Sequence, residues 1–82
     1  MGQYHFHTLR DGRRIEDLEG GRFESLEAAT DEAVLALREL LGDELKSGRP
    51  LNPTTIEIAD ENGRVLKQVP YTRALCAQSD LP

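Results

Sequence analysis

The stretch SLEAATDEAVLALRELLGDELKSG, residues 25–48, decides the fold. At about 100° per residue, Leu26, Ala29, Ala33, Val34, Leu37, Leu40, Leu41 and Leu45 fall within about 160° of arc. Asp31, Glu32, Arg38, Glu39 and Asp43 lie on the opposite side. Ser25 is a good N-cap, since its hydroxyl can accept from an orphan amide of the first turn, and Glu27 favours the positive end of the dipole. Gly42 weakens the last turn by about 1 kcal/mol relative to Ala, and Gly48 is placed to cap the C-terminus. A helix with one apolar stripe has to lay that stripe on something. The flanking segments supply strands.

Upstream, residues 3–9 are rich in aromatic and β-favouring side chains and stop at the turn pair Asp11-Gly12. Period two puts Tyr4, Phe6 and Thr8 on one face and His5, His7 and Leu9 on the other. Arg13 to Glu16 returns as a short second strand, and residues 17–21 read as a loop with paired glycines. Downstream, residues 54–59 alternate as a strand, Asp60-Glu61-Asn62-Gly63 turns the chain, and residues 64–69 return as a hairpin. A two-residue Asn62-Gly63 turn would set Ile58 against Lys67. A three-residue loop with Gly63 left-handed sets Ile58 against Leu66 and Glu57 against Lys67, which satisfies both faces and is preferred. Pro70 closes the strand. Residues 71–76 make one helical turn, and residues 77–82 form a frayed tail outside a single domain spanning 1–76.

The predicted order is β(β)αββ: an α+β fold with a small three- or four-stranded, mainly antiparallel sheet and one amphipathic helix packed on one face. The other face is predicted to carry His5, His7, Thr55, Glu57, Ala59, Val65, Lys67 and Val69, together with Leu9.

Eighty-two residues make one small domain. Lys and Arg number 10 against 15 Asp and Glu, a net charge of −5. That balance argues against nucleic acid, which demands a basic stripe, and against an anionic membrane surface. No apolar run approaches the roughly 18 residues of a membrane span, and the first residues carry no signal peptide pattern. The single cysteine, Cys76, excludes an internal disulfide and fits a reducing cytoplasm. Residues 16–44 hold ten acids against Arg22 and Arg38, so the helix face is strongly acidic.

His5-x-His7 is the sharpest chemical feature. Two imidazoles at i and i+2 of a strand project to one side about 6.5–7 Å apart, close enough to share Zn²⁺, Ni²⁺ or Cu²⁺. Glu57 is the candidate third ligand if its strand adjoins. The plainer reading is two histidines on a solvated face, because no HxxE, HExxH or CxxC completes the set. Asp17-x-Glu19-Gly20 lacks the spacing and terminal Glu of a calcium loop, and Gly20-Gly21 lacks the Lys-Ser/Thr of a phosphate loop. Cys76 reads as a small apolar filler rather than half of a Cys–His pair. Tyr4 and Phe6 read as core under the helix rather than as stacking platforms for RNA bases. These residues assign no catalytic group and no cofactor, and leave His5, His7 and Glu57 as the metal candidates.

Taken in series, Tyr4-His5-Phe6-His7, Asp11-Gly12, Asp17-x-Glu19-Gly20, Ser25-Leu26-Glu27-Ala28-Ala29, Ile58-Ala59-Asp60-Glu61-Asn62-Gly63-Arg64-Val65-Leu66 and Val69-Pro70-Tyr71 resemble a family of short bacterial proteins classed as a domain of unknown function. The resemblance spans residues 3–75. It implies a compact single domain and no assigned activity. The family's usual opening is Tyr-Phe-Phe-His, so His7 is the family-like histidine and His5 is a departure. Residues 25–28 also look like the antitoxin half of HicAB-type toxin–antitoxin pairs, a local match without that family's Pro-rich strand or DNA-binding region.

The function expected from these readings is a non-catalytic, cytoplasmic protein-interaction module. Its expected partners are a second copy, paired through the open sheet face in a symmetric homodimer, or another protein. The alternatives are an antitoxin-like partner-binding domain and a small metal- or ligand-binding protein using His5 and His7.

Overall fold

The computed structural model describes residues 2–50 and 52–74. Strands β1 (Gly2–Arg10), β2 (Arg13–Ile15) and β3 (Gly21–Phe23) precede helix α1 (Leu26–Lys46), and β4 (Thr54–Asp60) and β5 (Val65–Pro70) follow it. Residues 71–74 make one helical turn. The expectations for Cys76 and for a tail at 77–82 lie outside the described residues.

The sheet runs β2-β1-β4-β5, and all pairings are antiparallel. β3 is a fifth strand, one more than the three or four predicted, in a stretch whose paired glycines predict loop. It pairs with the start of β1, Gly2↔Phe23 to Tyr4↔Gly21, on the edge whose other end pairs with β2. Three residues are too few to show period two, and their partner lies some twenty residues away. Local patterning therefore cannot reveal them.

Helix α1 begins as its sequence dictates: the Ser25 hydroxyl accepts from the Ala28 amide at 3.1 Å. It ends in a Schellman arrangement, with Gly48 at φ +72° donating to Leu45 O and Arg49 N–H donating to Glu44 O. Ala29, Ala33, Leu37 and Leu41 form the buried stripe and pack on Ile56, Ile58, Val69 and Ala74. Tyr4, Phe6 and Phe23 flank them, Phe6 and Phe23 edge to face at 5.4 Å. Leu45, assigned to the stripe, is instead exposed, and Glu44 is buried beside it. Arg10, at the end of β1 on the helix-facing side, pairs with Glu44 and makes that burial tolerable.

The β4–β5 hairpin follows the predicted turn but not the predicted register. Asp60 and Arg64 close a loop of residues 61–63 with Gly63 at φ +88°. Ala59 then faces Val65, but Ile58 faces Lys67, and Leu66 is the extra residue of a β-bulge. The slip turns every later side chain over. Val69 moves to the helix side, fully buried opposite Ile56, and Gln68 takes the place opposite Glu57 that Lys67 was expected to hold. The expectation that Val69 and Lys67 lie on the open face is therefore corrected. Burying Val69 enlarges a small core by about 1.5–3 kcal/mol, and the half-exposed Lys67 is left at the helix-side edge.

Candidate functional site on the open sheet face

Three cross-strand rows build the face opposite the helix. They are Arg14–Leu9–Thr55–Pro70, His7–Glu57–Gln68, and His5–Ala59–Val65. The condition set for Glu57, that its strand adjoin β1, is met, and His7 and Glu57 stand directly opposite in the β1–β4 ladder. Neither is solvated: His7 is 9% exposed and Glu57 7%.

Glu57 is held by its neighbours. Arg14 pairs with Oε1 and the Gln68 side-chain amide donates to Oε2 at 2.9 Å. The Gln68 hydrogen bond lowers the Glu57 pKa, burial opposes it, and the Arg14 guanidinium and then His7 lower it further, so the carboxyl lies below its ordinary value.

The two imidazoles stack at 6.2 Å with planes 12° apart. Asp17 reads both through its main chain. The Asp17 carbonyl can only accept, so His5 Nδ1 carries a proton and donates it at 2.8 Å. The Asp17 N–H can only donate, so His7 Nδ1 is bare and accepts at 3.1 Å. Neutral His7 consequently has its proton on Nε2, while neutral His5 has its lone pair there. The Asp17 carboxylate faces the other way, accepting from the Phe6 amide at 3.1 Å and from the Gly20 amide at 3.1 Å. Burial raises its pKa, but these amides, the His5 imidazole and the Glu19 amide outweigh burial and hold it below the ordinary value.

Gly20 completes the clasp. It sits at φ +69°, and a Cβ there would stand 2.7 Å from the Tyr4 carbonyl oxygen and 2.9 Å from the His5 ring. Asp17-x-Glu19-Gly20, predicted as a loop without calcium-binding spacing, is a clasp that ties residues 17–20 to β1. Arg14 and Gln68 are site residues that the sequence does not single out, and Asp17 enters there only through its Asp-x-Glu-Gly motif. Arg14 alone had a local signal, since it shares a face with Leu9 across the Asp11-Gly12 turn.

His5, His7, Arg14, Glu16, Asp17, Leu18, Asp60, Glu61 and Gly63 enclose a shallow depression of about 310 Å³. This lining contains no Ser, Cys or Lys nucleophile. Among the described residues no three His, Cys, Asp or Glu side chains stand close enough to hold a metal ion. At the rim Leu18 is 83% exposed, and Val65, which extends the His5–Ala59 row, is 43% exposed.

The DUF6894 family, a domain of unknown function, matches residues 3–72. The chain belongs to this family. No curated protein and no solved structure matches it. Three residues quoted for the resemblance, His7, Asp17 and Gly20, meet in the clasp of this DUF6894 domain. No helix among its described residues is long and apolar enough to cross a membrane.

Proposed function

We propose that this DUF6894 domain is a non-catalytic protein-interaction module that docks through the sheet face opposite α1, and that a second copy of the chain is its first partner. The observation that carries this reading is the exposure on this face of Leu18, which lines the histidine depression, and of Val65, which continues the His5–Ala59 row. Two large apolar side chains at the rim of a polar hollow resemble the edge of a contact patch more than a solvated surface. Glu57, Asp17 and the Nδ1 atoms of both histidines are hydrogen-bonded from within the chain, which suits a rigid docking surface better than a reacting site. The acidic side of α1 points away from this face, so two copies can meet there without bringing their helices together. The single cysteine supports a reducing, cytoplasmic setting.

A pull-down from native lysate tests the reading, using the wild type and the double variant Leu18→Ser, Val65→Asp as baits. The wild type is expected to retain a protein, its own chain included, that the variant loses. Equal capture by both baits, or by neither, removes the support.

A further inference from the structure

The helix-facing side holds a second feature that the interaction reading does not use. β2 pairs with residues 8–10 of β1 and β3 with residues 2–4, which leaves a gap along that edge. Beneath the overhang of α1 the gap opens into a slot of about 300 Å³. That volume lies at the low end of small-ligand sites. Phe6, Phe23 and Ile56 supply its apolar walls, and Ala33 and Ala36 of the helix leave the room.

The charge of the slot has one sign. Among the described residues Glu32 and Asp17 are its only ionisable lining residues, and both are carboxylates. Phe6 turns its amide toward this edge, where Asp17 accepts it. In an antiparallel strand the carbonyl of the same residue points to the same edge. Thr8 adds a hydroxyl. A site with aromatic walls and a carboxylate at its mouth favours an apolar group that carries a positive charge.

We propose that this slot binds a small apolar amine, a single ring or branched alkyl group seated between Phe6, Phe23 and Ile56, with its ammonium on Glu32. The site lies on the side of the sheet opposite the docking face and does not depend on it. Its occupant is a small molecule because the slot accommodates one ring and is walled by β1 and β3, residues 17 and 20, and the helix above.

NMR titration of the full chain with 2-phenylethylamine tests the proposal, with phenylacetate as the charge-reversed probe and a capped lysine as a stand-in for a partner's side chain. Saturable shifts of the Phe6, Phe23 and Ala33 amides with 2-phenylethylamine are expected, with weaker binding of the other two probes. Ala36 is exposed, so Ala36→Leu fills the slot without displacing a buried side chain and is expected to abolish binding while leaving the thermal melt in place. Glu32→Gln is expected to weaken binding roughly three- to fivefold, the worth of a partly exposed ion pair. Absence of saturable shifts, equal binding of amine and acid, tighter binding of the capped lysine, or wild-type affinity in Ala36→Leu would each overturn it.

Discussion

Asp17 closes the sheet edge at Phe6: its Oδ2 accepts the Phe6 amide in the gap where β1 has neither β2 nor β3 beside it. A side chain here does what a strand would otherwise do. The same residue's main chain fixes the tautomers of His5 and His7, so one loop position organises both the edge and the candidate docking face.

Asp17→Ala removes the acceptor of the Phe6 and Gly20 amides and is expected to cost about 1–3 kcal/mol. For a domain of this size each kcal/mol lowers the melting temperature by about 4–8 °C. Gly20→Ala is expected to cost more than Gly63→Ala. Both positions have positive φ, but a Cβ at Gly63 meets nothing within 4 Å whereas one at Gly20 strikes the Tyr4 carbonyl. Thermal unfolding of the three variants checks the order, and equal melts for the two glycine variants would contradict the clasp.

Acid is expected to loosen the same region. The carboxyls of Asp17 and Glu57 lie below their ordinary values of 3.8 and 4.5 in the folded chain. Their stabilisation is therefore complete above those ordinary values and is lost as pH falls through them toward the lower folded values. Chemical denaturation at stepped pH should show stability falling on the acid side. The fall should be shallower in Asp17→Asn and in Glu57→Gln, and an unchanged slope in both would refute the assignment.

The bulge at Leu66 makes two valines on one strand behave differently. Val69→Asp places an unpaired carboxylate under α1 and is expected to unfold the domain, whereas Val65→Asp should stay within about 0.5 kcal/mol of wild type. Circular dichroism and a urea titration distinguish them. Similar losses at both positions would mean that the strand continues without the bulge.

Much of this architecture was legible from local pattern. The Ser25 cap, the apolar stripe of α1 and the three-residue loop with left-handed Gly63 all follow from periodicity and turn chemistry, whereas the β1–β4 register that sets His7 against Glu57 does not. The Arg10–Glu44 pair could have been read as well, because Glu44 is three residues beyond Leu41 and Arg10 shares a face with Phe6. β3 was not legible, being three residues long with a distant partner. Nor was the bulge, since one extra residue leaves no mark on composition and only the core's demand for Val69 selects it. Apart from the local Asp17–Gly20 bond, the clasp depends on hydrogen bonds between residues ten or more positions apart, and no spacing rule announces those.

Metal binding at the histidine pair is a separate matter with a direct test. Both Glu57 oxygens are already engaged, by Arg14 and Gln68, and His7 Nδ1 accepts from the Asp17 amide, so His5 Nε2 is the one candidate nitrogen with an unengaged lone pair in the neutral tautomers. Untagged protein is expected to retain no stoichiometric zinc, and a zinc titration should not distinguish wild type from His5→Ala or His7→Ala. A one-to-one complex lost in either variant would reinstate the site.

Sedimentation equilibrium across a concentration series tests the docking face most directly. The wild type is expected to move from monomer toward dimer mass as concentration rises. Added salt should favour the dimer, because each copy carries −5 and screening weakens their repulsion. The Leu18→Ser, Val65→Asp variant should remain monomeric at the same concentrations. A monomer mass throughout for the wild type, or a dimer of equal strength in the variant, would contradict the account.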